Sequence, residues 1–148
     1  MTPRRAMFKI GWAVHKLLFR VSGGRLGIRA AGDGVGTLFL VTRGRRSGLE
    51  RRNGLNYVTD GANLAVIASN AGDAADPQWW HNLQATPDAA VEVPGSAGRA
   101  TRQPVRARRA SDPEAVRIWP RFVAASPQFA DYATRATRAL PVVVLEPR

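Results

Sequence analysis

Apolar residues fall in short blocks along this chain, and the spacing within each block sets the element it predicts. The first block, residues 7–20, reads as an amphipathic helix: Arg5, Lys9, Lys16 and Arg20 share one stripe, with Phe8, Trp12, Val14, Leu18 and Phe19 around the rest. Residues 21–36 carry the turn signals Ser22-Gly23-Gly24 and Gly32-Asp33-Gly34 and connect this helix to a barrel. Leu38-Phe39-Leu40-Val41-Thr42 is an apolar run suited to a buried strand. Two further extended runs, Leu55 to Thr59 and Leu64 to Asn70, flank Asp60-Gly61, a hairpin signal. Residues 77–86 return to helical spacing, with Trp79 and Leu83 one turn apart and Asn82 beside them. Asp76 is the expected N-cap there, and Pro77 the first helical residue.

Further along, Ala90 to Val93 and residues 99–109 alternate as strands around the turn Gly95 to Gly98. Asp112-Pro113-Glu114 is a cap-and-first-turn signature, with Asp112 as the cap, for a helix carrying Ala115, Val116, Ile118, Trp119, Phe122 and Val123. A second helix is expected over Pro127 to Ala139, and Val142 to Leu145 forms a closing strand. The order is about six strands in antiparallel hairpin sequence, with helices after the third and before the last. That is an α+β arrangement, a small barrel with a side layer of helices. Two parts follow: residues 1–35, the amphipathic helix and its glycine-rich linker, and residues 36–148, the barrel.

Composition narrows the chemistry. The 148 residues contain no cysteine, which removes thiolate catalysis, disulfides and Cys-ligated metals. The two histidines, His15 and His81, are far apart, so a metal site is not expected. No nucleophile elbow is present. The formal charge of +11 comes almost wholly from arginine and calls for an acidic partner, unless base composition alone produced it. Residues 7–20 are too short and too charged to span a bilayer. They are expected to pack on the barrel; the alternative is a surface anchor on an anionic leaflet.

The charge is densest in Arg43-Gly44-Arg45-Arg46-Ser47-Gly48-Leu49-Glu50-Arg51-Arg52, read as a loop between strands. Glycines allow close backbone approach, and guanidiniums fork onto anionic oxygens. The loop is either an anion site or a solvated hairpin tip, and residue types alone leave both open. It is not a Walker loop.

Three motifs in order break that tie. Thr42, Gly44, Arg45, Ser47, Gly48 and Arg51 are followed by Ala68, Ser69 and Gly72, then by Pro77, Trp79, Asn82 and Leu83. Together with Trp119-Pro120, Asp131-Tyr132 and Pro141 to Pro147, this pattern resembles the deazaflavin-dependent nitroreductase family over about residues 36 to 148. The resemblance implies a split β-barrel and hydride transfer from the reduced deazaflavin coenzyme F420 to a quinone, enone or nitroaromatic acceptor. The coenzyme carries a phosphodiester and a polyglutamate tail, and a cofactor that moves hydride leaves the protein little acid–base work. By the same resemblance Arg45, Arg46, Ser47, Gly48 and Arg51 bind the phosphate and tail. Asn70 replaces a residue that is often lysine and is counted with the coenzyme contacts. Trp79 and Asn82 complete the wall. Ser69 lies beside the ring and hydrogen-bonds the acceptor oxygen, and Tyr132 borders the acceptor pocket.

Ser126 and Phe129 stand where the family's best-known nitroreductase has tyrosines, which disfavours nitroimidazoles and favours quinones or enones. The expected setting is cytoplasmic, at the inner face of the membrane if residues 7–20 meet lipid, and many split barrels pair as homodimers. The rival readings are an FMN- or heme-binding split barrel, and a basic nucleic-acid or membrane-surface module. Nucleic acid is not expected, because the aromatics do not interleave with the arginines.

Overall fold

The computed structural model describes Val14 and residues 28–95, 98–136 and 138–148. The reading of residues 7–20 as an amphipathic helix, and its lipid alternative, lie outside the described residues apart from Val14. Six antiparallel strands close into a barrel in the order β1-β2-β3-β6-β5-β4. They are β1 (Gly36–Arg43), β2 (Glu50–Asp60), β3 (Asn63–Ile67), β4 (Asp88–Pro94), β5 (Ala100–Arg109) and β6 (Val142–Pro147). Helix α1 (Gln78–Ala85) lies between β3 and β4, and α2 (Asp112–Ala125) and α3 (Gln128–Arg135) precede β6. The α+β barrel expected from the hydrophobic pattern is the architecture found.

Closure explains why β1, β3 and β6 read as unbroken apolar runs, because each is buried on both faces. Leu38, Leu40, Val66, Val143 and Leu145 point into a core shared with Val91, Val105 and Ala107, joined by Trp79, Trp80 and Leu83 of α1. The opposite faces of the same strands, Ala65, Ile67 and Val142, pack under Ile118, Phe122, Phe129 and Tyr132 of α2 and α3. In β5 only Val105 and Ala107 are buried, so the strand is half solvated. Its Arg102, Arg106 and Arg108 pair with Glu50, Asp88 and both Glu114 and Glu146. Residues preceding β1 are stitched to it: Arg29 and Thr37 exchange backbone hydrogen bonds, and the Ala31 amide donates to the Tyr57 hydroxyl.

Four local expectations shift. The arginine loop is shorter than the sequence suggested. Arg51 and Arg52 belong to β2, in register with Thr42 and Val41, because backbone pairing outweighs the loop-like look of a charged run. Helix α1 is capped by Pro77 without a side-chain bond, since the Asp76 carboxylate turns instead to Arg138 at 2.6 Å. The cap of α2 is Ser111, one residue earlier than expected, in a full capping box with Glu114. Helix α3 stops at Arg135, so the chain is extended at Ala136 where the sequence suggested helix to residue 139.

The capping box carries a prediction. Glu114 accepts from Arg108 at 2.7 and 2.8 Å and from the Ser111 amide and hydroxyl at 2.9 Å. Arg108 first, then Ser111, hold its carboxyl well below the usual carboxylate range. A depressed acid stabilises the fold above its unfolded pKa, and that contribution drains away as pH falls through the folded value. Glu114→Gln is expected to cost about 1 kcal/mol at neutral pH. In melting curves the gap from wild type should narrow steadily below about pH 4; a gap independent of pH would contradict this.

Candidate functional site

The bend between β1 and β2 is ordered by its own bonds. The Gly44 amide donates to Leu49 O at 2.8 Å, and the Gly48 amide donates to Gly44 O at 2.8 Å. A Cβ on Gly44 would sit 2.6 Å from Ser47 Oγ, and Gly48 has φ +71°, so each glycine answers a specific steric need. Ser47 Oγ accepts from the Leu49 amide at 3.2 Å and from Arg51 Nη2 at 3.3 Å, which leaves the hydroxyl proton free to donate.

Helix α1 braces the bend from the other side. Asn82, 5% exposed, accepts through Oδ1 from Arg45 N at 3.2 Å and Arg45 Nη1 at 3.1 Å. Its Nδ2 donates to the buried Thr42 hydroxyl at 3.2 Å, and Arg45 Nη2 donates to Gln78 Oε1 at 2.9 Å. Asn82 therefore acts as a bracket, tying bend, strand and helix together. Between these elements opens a groove of about 580 Å³ walled by Arg45, Arg46, Ser47, Arg51, Trp79 and Asn82, with Gly44, Glu50, Arg52, Asn53 and Gln78.

The groove is electrostatically unbalanced. Arg52 spends its charge on Glu92 at 2.9 Å, and Glu50 turns to Arg102 at 2.5 Å, which lowers the Glu50 pKa. Arg45, Arg46 and Arg51 have no carboxylate partner among the described residues. Three cations thus face one groove, and the bonds Arg45 and Arg51 make are to neutral amide and hydroxyl oxygens. This fits an anionic ligand with bidentate acceptor oxygens.

A second cleft, about 40 Å³, opens further along β2. Gly54, Leu55 and Asn56 line it, facing Ile67, Ser69, Gln128, Phe129 and Tyr132. Asn53 walls the groove and Gly54 the cleft, so one strand runs along both. No acceptor or donor for the Ser69 hydroxyl is present among the described residues. Phe129 stands edge-on between Phe122 and Tyr132, at 5.1 and 5.6 Å, and Arg135 lies 5.4 Å over the Tyr132 ring.

The sequence-derived set is therefore gathered into two adjoining places, with two exceptions. Gly48 faces the opposite side of the bend, among Arg43, Asp88 and Arg148. Asn70 lines neither opening, because its side-chain amide donates to Ala75 O at 2.9 Å. Gln78, Asn53, Asn56 and Gln128 were not singled out from sequence. Gln78 adjoins Trp79 within the helical motif, and the other three carry no local signal. Among the described residues no group of acidic and histidine side chains is placed to hold a metal ion, and no helix is long and apolar enough to cross a membrane.

A closed antiparallel barrel with a cationic groove and a small aromatic cleft defines a ligand-binding split barrel. Residues 12–147 match the model of the F420H(2)-dependent quinone reductase family, and the chain belongs to that family. An F420H(2)-dependent quinone reductase of Mycobacterium tuberculosis is 33% identical over 136 residues, covering 91% of this chain and 89% of that protein. A second protein of that species, provisionally named for the same activity, is 42% identical over 114 residues, covering 77% of this chain and 92% of its own. The solved F420-H2 dependent reductase FDR-A superposes with a TM-score of 0.64 at 31% identity, covering 74% of this chain and 93% of the other.

Proposed function

We infer that this chain is an F420H2-dependent oxidoreductase whose acceptor is a quinone or a similarly conjugated carbonyl compound. The observation that carries the reading is that Arg45, Arg46 and Arg51 converge on one groove with no carboxylate partner among the described residues, while Arg52 beside them is held by Glu92.

Arg46 and Arg51 hold the coenzyme's phosphate and acidic tail, and the Ser47 hydroxyl donates to one of its oxygens. Arg45 adds charge and, through Asn82, fixes the shape of the bend. Trp79, 4% exposed and already packed in the barrel core, offers a wall that needs no reordering to receive a ring. When bound, the reduced deazaflavin supplies a hydride equivalent to the acceptor. The Ser69 hydroxyl would donate a hydrogen bond to the acceptor oxygen, where negative charge develops. Phe129 and Tyr132 exclude water from the same place and stack against a flat acceptor. Ser126 caps α2 and does not line the cleft, so acceptors that rely on an aromatic wall at that position are disfavoured.

Titration of the oxidised coenzyme should quench its fluorescence at micromolar protein, and the reduced coenzyme should be reoxidised by a soluble naphthoquinone. Binding of flavin mononucleotide or heme in place of the deazaflavin would reject the reading.

A further inference from the structure

Ser69 sits at the start of an unusual stretch of backbone. Asn70, Ala71 and Gly72 follow with φ of +46°, +57° and +78°, three successive residues in the left-handed region. Two of them carry a Cβ that this region disfavours, so the turn needs outside support to persist. Within the turn, the Gly72 amide donates to Ser69 O at 2.8 Å and the Asp73 amide to Asn70 O at 3.1 Å. Against it, Gly72 meets the Tyr132 backbone so closely that a Cβ would lie 3.1 Å from Tyr132 Cα and O.

The support comes from Arg138, in the segment after α3. Its Nη2 donates to the carbonyls of Ala68 and Ser69 at 3.1 Å and of Ala75 at 3.2 Å, and its Nε donates to Asp73 O at 3.2 Å. Its Nη1 donates to Ala139 O at 3.4 Å and lies 2.6 Å from Asp76 Oδ1, an oxygen closed off from solvent with no hydrogen bond of its own. The side chain is 17% exposed. One guanidinium thus reaches both ends of the Ala68–Asp76 stretch and answers the charge of the Asp76 carboxylate at its buried Oδ1.

We propose that Arg138 is the positioning residue of the cleft, clamping the left-handed turn so that Ser69 stays opposite Tyr132. This deepens the reductase reading and rests on it. Arg138 lines neither groove nor cleft, so its effect is carried by Ser69 and not by contact with coenzyme. The cleft is small, and a displacement of about 1 Å at a reacting group is enough to cost roughly a hundredfold in rate.

The test compares Arg138→Ala, Arg138→Lys, Ser69→Ala and the Ser69→Ala/Arg138→Ala double variant. Coenzyme affinity by fluorescence quenching should be unchanged in Arg138→Ala and Arg138→Lys. Turnover with a naphthoquinone should fall roughly ten- to a hundredfold in Arg138→Ala, recover in part in Arg138→Lys, and fall no further when Ser69 is also removed. Losses that multiply in the double variant, or a parallel loss of coenzyme affinity, would overturn the proposal. Should Arg138→Ala not fold, hydrogen exchange of the 70–76 amides in Arg138→Lys decides: faster exchange confined to that turn supports the clamp, and unchanged exchange removes it. A wild-type chain that binds no deazaflavin defeats the reductase reading instead, and the exchange measurement still judges the clamp.

Discussion

Replacing Arg45 or Arg51 by alanine is expected to weaken coenzyme binding by about 1–3 kcal/mol, each tenfold loss corresponding to about 1.4 kcal/mol. The two should not be equal. Arg51 contributes a charged donor oriented only by Ser47, so its loss removes one set of ligand contacts. Arg45 contributes charge and also the two bonds to Asn82 and the one to Gln78 that shape the bend. Its backbone bond to Asn82 survives truncation, but the side-chain bonds do not. Arg45→Ala therefore belongs at the upper end of the range and Arg51→Ala at the lower. Both effects should shrink with added salt, because the groove is open to solvent. Arg117→Ala is the matched control: that guanidinium is already held by Asp60 at 2.8 Å on another face of the barrel. It should leave affinity unchanged at every ionic strength. Equal losses in all three variants would mean that the chain senses only bulk charge.

The second large effect is on folding. Gly72→Ala places a Cβ at a backbone angle of φ +78° and 3.1 Å from the backbone of Tyr132. The left-handed conformation alone costs about 1–2 kcal/mol for an alanine. The neighbour that must give way is helix backbone, not a flexible side-chain end, so the total should reach about 2–4 kcal/mol. At roughly 2–4 °C per kcal/mol for a chain of this size, the melting temperature should drop by about 5–15 °C. Gly61→Ala separates the two causes. It shares the left-handed angle, φ +61°, but nothing lies within 4 Å of its Cβ. Only the backbone share, about 1 kcal/mol, should appear there. If both variants melt alike, the contact between the turn and α3 carries no energy.

The contrast between those glycines shows what the sequence made legible. Gly61 follows aspartate between two extended runs, and the hairpin it makes between β2 and β3 was readable from a pair of neighbours. The double-sided burial of β1, β3 and β6 was likewise written as unbroken apolar runs. Gly72 was recognisable as part of a motif, but the reason for it was not, since that reason is the Tyr132 backbone sixty residues further on. Charged residues misled in a consistent way. Glu50, Arg51 and Arg52 look like loop, yet they extend β2, because a half-exposed strand tolerates charge on its outer face. Asp76 has the local credentials of a cap, and a distant arginine claimed it. Arg138 itself stands in an unremarkable Arg-Ala-Thr-Arg-Ala sequence, with acceptors up to seventy positions earlier, so no window along the chain would have exposed it.

The groove and the cleft were legible in different measure for the same reason. Most of the groove's charge lies in one short bend, so composition pointed to it at once. The cleft is assembled from β2, the end of β3 and α3, and of its polar residues Asn56 and Gln128 became visible only when the barrel closed. A ligand held by charge at one place and by shape at the next needs both to be fixed by the same scaffold, and β2 supplies that continuity.

The central claim is that the bend grips the acidic part of the coenzyme. It is tested most directly by titrating the protein with intact coenzyme F420 and with the same deazaflavin lacking phosphate and glutamate tail, at low salt. The intact coenzyme should bind at least about tenfold more tightly, as a single charge-assisted contact would require. Equal affinity for the two would place the binding energy in the ring alone and leave the arginines of the bend as ordinary surface.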